Sequence, residues 1–78
     1  MKKPEPGTFY EHFKGAMYKI VGIARHSETL EELVVYQAQY DDFDLWVRPL
    51  SMFLEKVTVS GKTMPRFRLK EDLDREID

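Results

Sequence analysis

The chain has 78 residues and a formal charge of −2, with 42% hydrophobic and 13% aromatic residues and no cysteine. That length sets one small domain, and the composition is globular rather than disordered. Disulfides, thiolate zinc sites and thiol nucleophiles are excluded outright, and a cysteine-free chain is expected in the cytoplasm.

The charge is unevenly spread. Residues 71–78 hold five acids and Arg75, a net −4, which leaves +2 on residues 1–70. Domain organisation is therefore read as a flexible lead-in over 1–7, a single β-rich domain over 8–70 and an acidic tail over 71–78. The start, MKKPEPGTF, has no hydrophobic signal core, and no apolar run approaches the ~20 residues of a membrane span.

In chain order, Phe9, Tyr10 and Phe13 form an aromatic cluster that Gly15 closes with a turn. Met17–Ala24 is a dense apolar run rich in Ile and Val, predicted as a buried strand with Gly22 at a bulge. His26–Glu32 is polar and connects it to Leu33–Ala38, whose Val34, Val35 and Tyr36 favour a second strand. Thr29 with Glu32 also fits a capping box, so a helix over 29–38 competes with that strand. Asp41 and Asp42 supply turn chemistry before a strand over Phe43–Val47. Pro49 then begins a tight turn or a single helical turn through Phe53. Leu54–Val59 and Pro65–Leu69 complete the strands, with a hairpin turn at Ser60-Gly61-Lys62. Leu69, Leu73 and Ile77 have the spacing of a short, marginal C-terminal helix.

These elements predict a mainly β fold: a small antiparallel barrel or strongly curved sheet, SH3-like, of about five short strands. HFKG (His12–Gly15), Tyr18, IARHSET (Ile23–Thr29), ELVVYQA (Glu32–Ala38) and WVRPLSMF (Trp46–Phe53) carry a resemblance as well. Together they resemble the bacterial and archaeal domain of unknown function numbered 1653. The resemblance implies a compact β-rich domain and brings no catalytic residue with it.

Three groups of residues carry chemistry. His26 and Glu28, with His12 as a third, are candidates for acid–base work or a metal. The plainer reading is a polar loop whose Ser27 and Thr29 hydroxyls bond local backbone. Ser27 beside His26 is not a nucleophile–base pair, and there is no nucleophile elbow or Gly-rich phosphate loop. Trp46 and Arg48 lie two apart on a strand and share a face, as do Tyr36 and Ala38 on its neighbour. An aromatic and a guanidinium so placed can stack a planar ligand. The plainer reading buries Trp46 in the core, with Arg48 covering it or paired to Asp44. Lys62, Arg66, Arg68 and Lys70 form a basic stretch that could track a phosphate backbone or guard an edge strand.

The leading expectation is a non-catalytic binding or adaptor domain with a ligand face of His26, Glu28, Tyr36, Gln37, Trp46 and Arg48. Its partner would be a small ligand or a protein, with no cofactor, metal or membrane, and the chain a monomer or weak dimer. Single-stranded nucleic acid binding through Arg48, Arg66, Arg68 and Lys70 is the first alternative. A small enzyme using His26 and Glu28 is the second.

Overall fold

A computed structural model describes residues 3–70. Across these residues the fold is mainly β, with seven strands in two antiparallel sheets and one helical turn. The strands are β1 (Phe9–His12), β2 (Met17–Arg25), β3 (Glu32–Ala38), β4 (Leu45–Pro49), β5 (Lys56–Val59), β6 (Lys62–Pro65) and β7 (Phe67–Leu69), with α1 (Leu50–Phe53) after β4. The larger sheet runs β4-β3-β2-β1-β7, and β5 and β6 form a separate hairpin. The larger sheet ends at β4 and β7 and does not close into a barrel. The expected C-terminal helix and acidic tail lie outside the described residues.

β2 and β3 form where the apolar runs predict them, and the helical reading of 29–38 gives way to a strand from Glu32. Adjacent Val34, Val35 and Tyr36 favour the pleat over the helix. The register of β2 against β3 shifts between Ile20 and Gly22, so Val21 is the extra residue of a bulge. A one-residue slip exchanges the two faces of a strand. Ile20 opposite Tyr36 and Ile23 opposite Val34 therefore both point into the core, while Val21 is exposed.

Several expectations about elements need correction: seven strands form among the described residues where about five were expected, and the strand expected from Leu54 starts at Lys56. Phe9–His12 is a strand, paired with both β2 and β7, rather than only an aromatic cluster. The strand expected from Phe43 starts at Leu45, because Asp41 and Phe43 take positive φ values and belong to the turn. The last expected strand, Pro65–Leu69, is two elements, with Pro65 ending β6 and Arg66 standing between it and β7. Ser60 and Gly61 both have positive φ, as a type I′ hairpin turn requires. Residues 3–8 lie against the sheet: Pro4 is buried, Lys3 pairs with Glu32 at 2.6 Å, and the Gly7 N–H donates to the Ile20 carbonyl.

Ile20, Val34, Tyr36, Phe53 and Phe67 form the core, with Tyr10, Tyr18, Ile23, Leu50 and Leu54 packed around it. Phe53 stacks on Phe67 with centroids 4.1 Å apart. α1 has no side-chain cap, and Phe53 anchors it from its own last position. Flat, β4 and β7 would stand about 19 Å apart at the usual strand spacing. Yet the Arg48 guanidinium on β4 lies 5.6 Å from the Phe67 ring centre on β7. The sheet is therefore curled, and its core face is concave.

Candidate functional site

Cross-strand partners share a face, so the ladder fixes which side chains meet. Tyr36 pairs with Trp46 and Val34 with Arg48, which puts Tyr36, Trp46 and Arg48 on the concave face. Gln37 alternates to the convex face, where its amide donates to the Phe43 carbonyl and holds the β3–β4 turn. His26 and Glu28 lie in the β2–β3 turn, past the Arg25–Glu32 pair and four ladder positions beyond Trp46. The expected six-residue face is thus split among three locations, and only Tyr36, Trp46 and Arg48 come together.

Trp46 is 50% exposed, which corrects the reading of it as a core residue. β4 ends the larger sheet, so among the described residues the indole has a neighbouring strand on one side. Tyr36 is buried, with edge-to-face contacts to Tyr18, Phe53 and Phe67. Its hydroxyl accepts a long bond from Arg48 Nε at 3.4 Å. Arg48 is half-buried and forms no ion pair among the described residues, so the expected Asp44 partner is not used. A half-buried guanidinium without an acid is one whose desolvation is only partly offset, and an anion would complete it.

Cation and aromatic groups continue from there. His12 meets Phe67 edge-to-face at 5.0 Å, and its Nδ1 accepts the Lys14 N–H. Burial, then the charges of Arg48 and Arg66, hold the His12 imidazole below its ordinary pKa. Arg66 reaches Glu55 at 3.4 Å through Nη2, while its Nε is buried without a hydrogen-bond partner among the described residues. On the other side, the Tyr18 and Tyr40 hydroxyls share a 2.7 Å bond. Burial and then that bond push the Tyr18 hydroxyl up to about 12.

The other predicted groups stand elsewhere. His26 Nδ1 accepts the backbone N–H groups of Glu28 and Thr29, and Thr29 Oγ1 accepts that of Glu31. His26 thus orders its own turn, and Glu28 is exposed beside it rather than enclosed with it. Arg68 and Lys70 both pair with Glu11, at 2.9 and 3.4 Å, and hold its carboxyl below the usual range, Arg68 contributing first. The basic stretch is therefore already matched to acids at Arg66, Arg68 and Lys70, and Arg48 differs from all three. A cavity of about 250 Å³ is lined by Glu11, His12, Phe13, Met64, Pro65 and Arg68. Of its lining, His12 and Arg68 were sequence candidates. No three metal-ligating side chains gather among the described residues, and no described helix is long and apolar enough to cross a membrane.

Sequence reasoning missed Tyr18, Tyr40, His12 and Phe67 as members of this surface. Tyr18 and Ile20 alternate in the way an inward face requires, and that signal was available. Phe67 meets Arg48 only through the curl of the sheet, which no local pattern encodes.

The fold and this aromatic–cationic face define a small, mainly β domain. Residues 8–69 match the family described as Protein of unknown function (DUF1653), and the chain belongs to that family. It is also similar to a crystallised DUF1653 protein from Bordetella bronchiseptica, at 36% identity and a TM-score of 0.74. That likeness covers 83% of this chain and 85% of the other. No curated protein matches the chain.

Proposed function

We propose that this protein is a non-catalytic binding domain whose concave face takes an anionic ligand with a flat apolar part. Arg48 supplies the charge, and the exposed indole of Trp46 supplies a stacking surface beside it. The observation that carries the reading is the half-buried Arg48 guanidinium with no acid in range among the described residues. The Arg66 Nε, unpartnered among the described residues, and the two guanidinium charges felt at His12 support the same sign of ligand. Such a domain works as an adaptor or sensor in the cytoplasm, a placement supported by its lack of cysteine. Its curled sheet and added hairpin resemble an opened form of the small SH3-like barrel.

The test is amide NMR of the labelled protein during titration with adenosine monophosphate and indole-3-acetate, then with the same compounds against Arg48→Met. Saturable shifts at Tyr36, Trp46 and Arg48 that disappear in a folded R48M protein are expected. Equal shifts in R48M, or none with either anion up to millimolar concentration, would overturn the reading.

A further inference from the structure

β4 is the end strand of the larger sheet, and its outer edge meets no other strand among the described residues. Leu45 is 63% exposed and Val47 59%, and Leu45, Trp46 and Val47 carry no charge. Other edges are guarded: Arg68 sits on β7, and Lys56 and Lys62 sit on the β5–β6 hairpin. An apolar, uncharged edge with free backbone groups is a template for another strand.

The backbone pattern of this edge follows from two observations. The Ala38 N–H donates to the Asp44 carbonyl, so the pairs two and four residues along, Tyr36 with Trp46 and Val34 with Arg48, are the hydrogen-bonded ones. Pro49 pairs with Leu33 in the same ladder and has no N–H, which fits only the alternate class. The N–H and C=O groups of Leu45 and Val47, and the Pro49 carbonyl, therefore point outward.

We propose that β4 pairs antiparallel with β4 of a second copy of this chain, about a two-fold axis through Val47. In that register Val47 exchanges both backbone bonds with its own counterpart, and each Leu45 N–H donates to the Pro49 carbonyl opposite. Of the symmetric registers whose axis passes through an outward-facing residue of β4, the other two fail. Centring on Leu45 sets Val47 against Phe43, whose φ is +56 and whose carbonyl is already taken by Gln37. Centring on Pro49 requires an N–H that proline lacks.

Side chains agree with the same register. Trp46 falls opposite Arg48 of the second copy, twice, in the closely spaced class of pair where an indole and a guanidinium meet well. Leu45 falls opposite Pro49. The pairing joins two concave faces edge to edge, so each Arg48 gains the indole of the other copy. A single strand edge is a small interface, and the dimer is expected to be weak and concentration-dependent.

Position 47 separates this inference from the binding reading, because Val47 points to the convex face, away from Trp46 and Arg48. At the axis, Val47→Lys sets two like charges against each other, and so does Val47→Glu, while a mixture of the two sets opposite charges together. Sedimentation velocity across roughly two decades of concentration up to the millimolar range reads the result. Wild type is expected to dimerise progressively, V47K and V47E to remain monomers with native circular dichroism, and their equimolar mixture to recover dimer. A wild-type protein that stays monomeric at the highest concentration overturns the proposal. So does a V47K protein that dimerises like wild type, or a mixture that stays monomeric.

Discussion

Phe53→Ala tests whether the aromatic cluster is what holds the curled sheet and α1 in place. Phe53 is 1% exposed, stacked on Phe67 and set edge-to-face against Tyr10 and Tyr36 at 5.4 and 5.5 Å. Truncating a buried Phe to Ala costs about 3–5 kcal/mol, and the aromatic contacts, each about 0.5–1.5 kcal/mol beyond area, place this site at the upper end. A 78-residue domain has only about 4–12 kcal/mol in total at the usual value per residue. The variant should therefore lose a third or more of its stability. Its Tm should fall by about 12–40 °C, at about 4–8 °C per kcal/mol for a domain of this size. Urea denaturation followed by far-ultraviolet circular dichroism measures the change, with Phe43→Ala as the control. Phe43 is half exposed in a turn, and its truncation should cost less than about 1 kcal/mol. A Phe53→Ala loss below about 1.5 kcal/mol, or a Phe43→Ala loss as large, would refute this account of the core.

His12 should titrate below its ordinary value near 6.5 in proton NMR, and Arg48→Met should move it upward by removing one of its cationic neighbours. Because its folded pKa is depressed, the stability linked to His12 is present above about 6.5 and is lost as pH falls through the folded pKa; a flat response between pH 7 and 5 would contradict this. Glu11 is likewise depressed, by Arg68 and then Lys70, so its contribution holds above the usual carboxylate pKa and disappears as pH falls through the lower folded one. Glu11→Gln should make acid unfolding less steep, as urea midpoints between pH 5 and about 3 would reveal. Ser60→Asn should stabilise the β5–β6 hairpin by a few tenths of a kcal/mol, since Asn-Gly is the favoured type I′ pair, whereas Gly61→Ala at φ +81 should cost about 1 kcal/mol. Thermal melts that rank the two variants in the opposite order would show that the turn is not the one described.

What the sequence disclosed follows how local each cause is. β2, β3, the Gly22 bulge, the turn after Pro49 and the Ser60-Gly61 hairpin were all legible, because each depends on neighbours within a few residues. The first strand was hidden by Phe9, Tyr10, His12 and Phe13, which break the period of two with adjacent aromatics. The plainer reading of Trp46 as a core residue failed for a different reason. Burial of a strand residue depends on whether its strand ends the sheet, and the order of strands is a property of the whole chain. The basic residues show the same limit: Arg68 and Lys70 meet Glu11 only because β7 pairs with β1 across more than fifty residues.

That limit bears on how the candidate site should be weighed. Counted along the sequence, Arg66, Arg68 and Lys70 look like the cationic surface and Arg48 is a single charge. Counted in space among the described residues, these three are matched to acids, and Arg48 is a guanidinium on the concave face with none. Charge density in sequence measures potential binding groups, whereas affinity for an anion depends on charge left uncompensated by the fold. Replacing Arg68 by Gln also frees part of Glu11, so it should leave binding of a small anion unchanged while weakening the acid-labile pair. Replacing Arg48 should do the reverse. An anion titration in which R68Q loses binding and R48M retains it would place the site on β7 and remove the argument for the concave face.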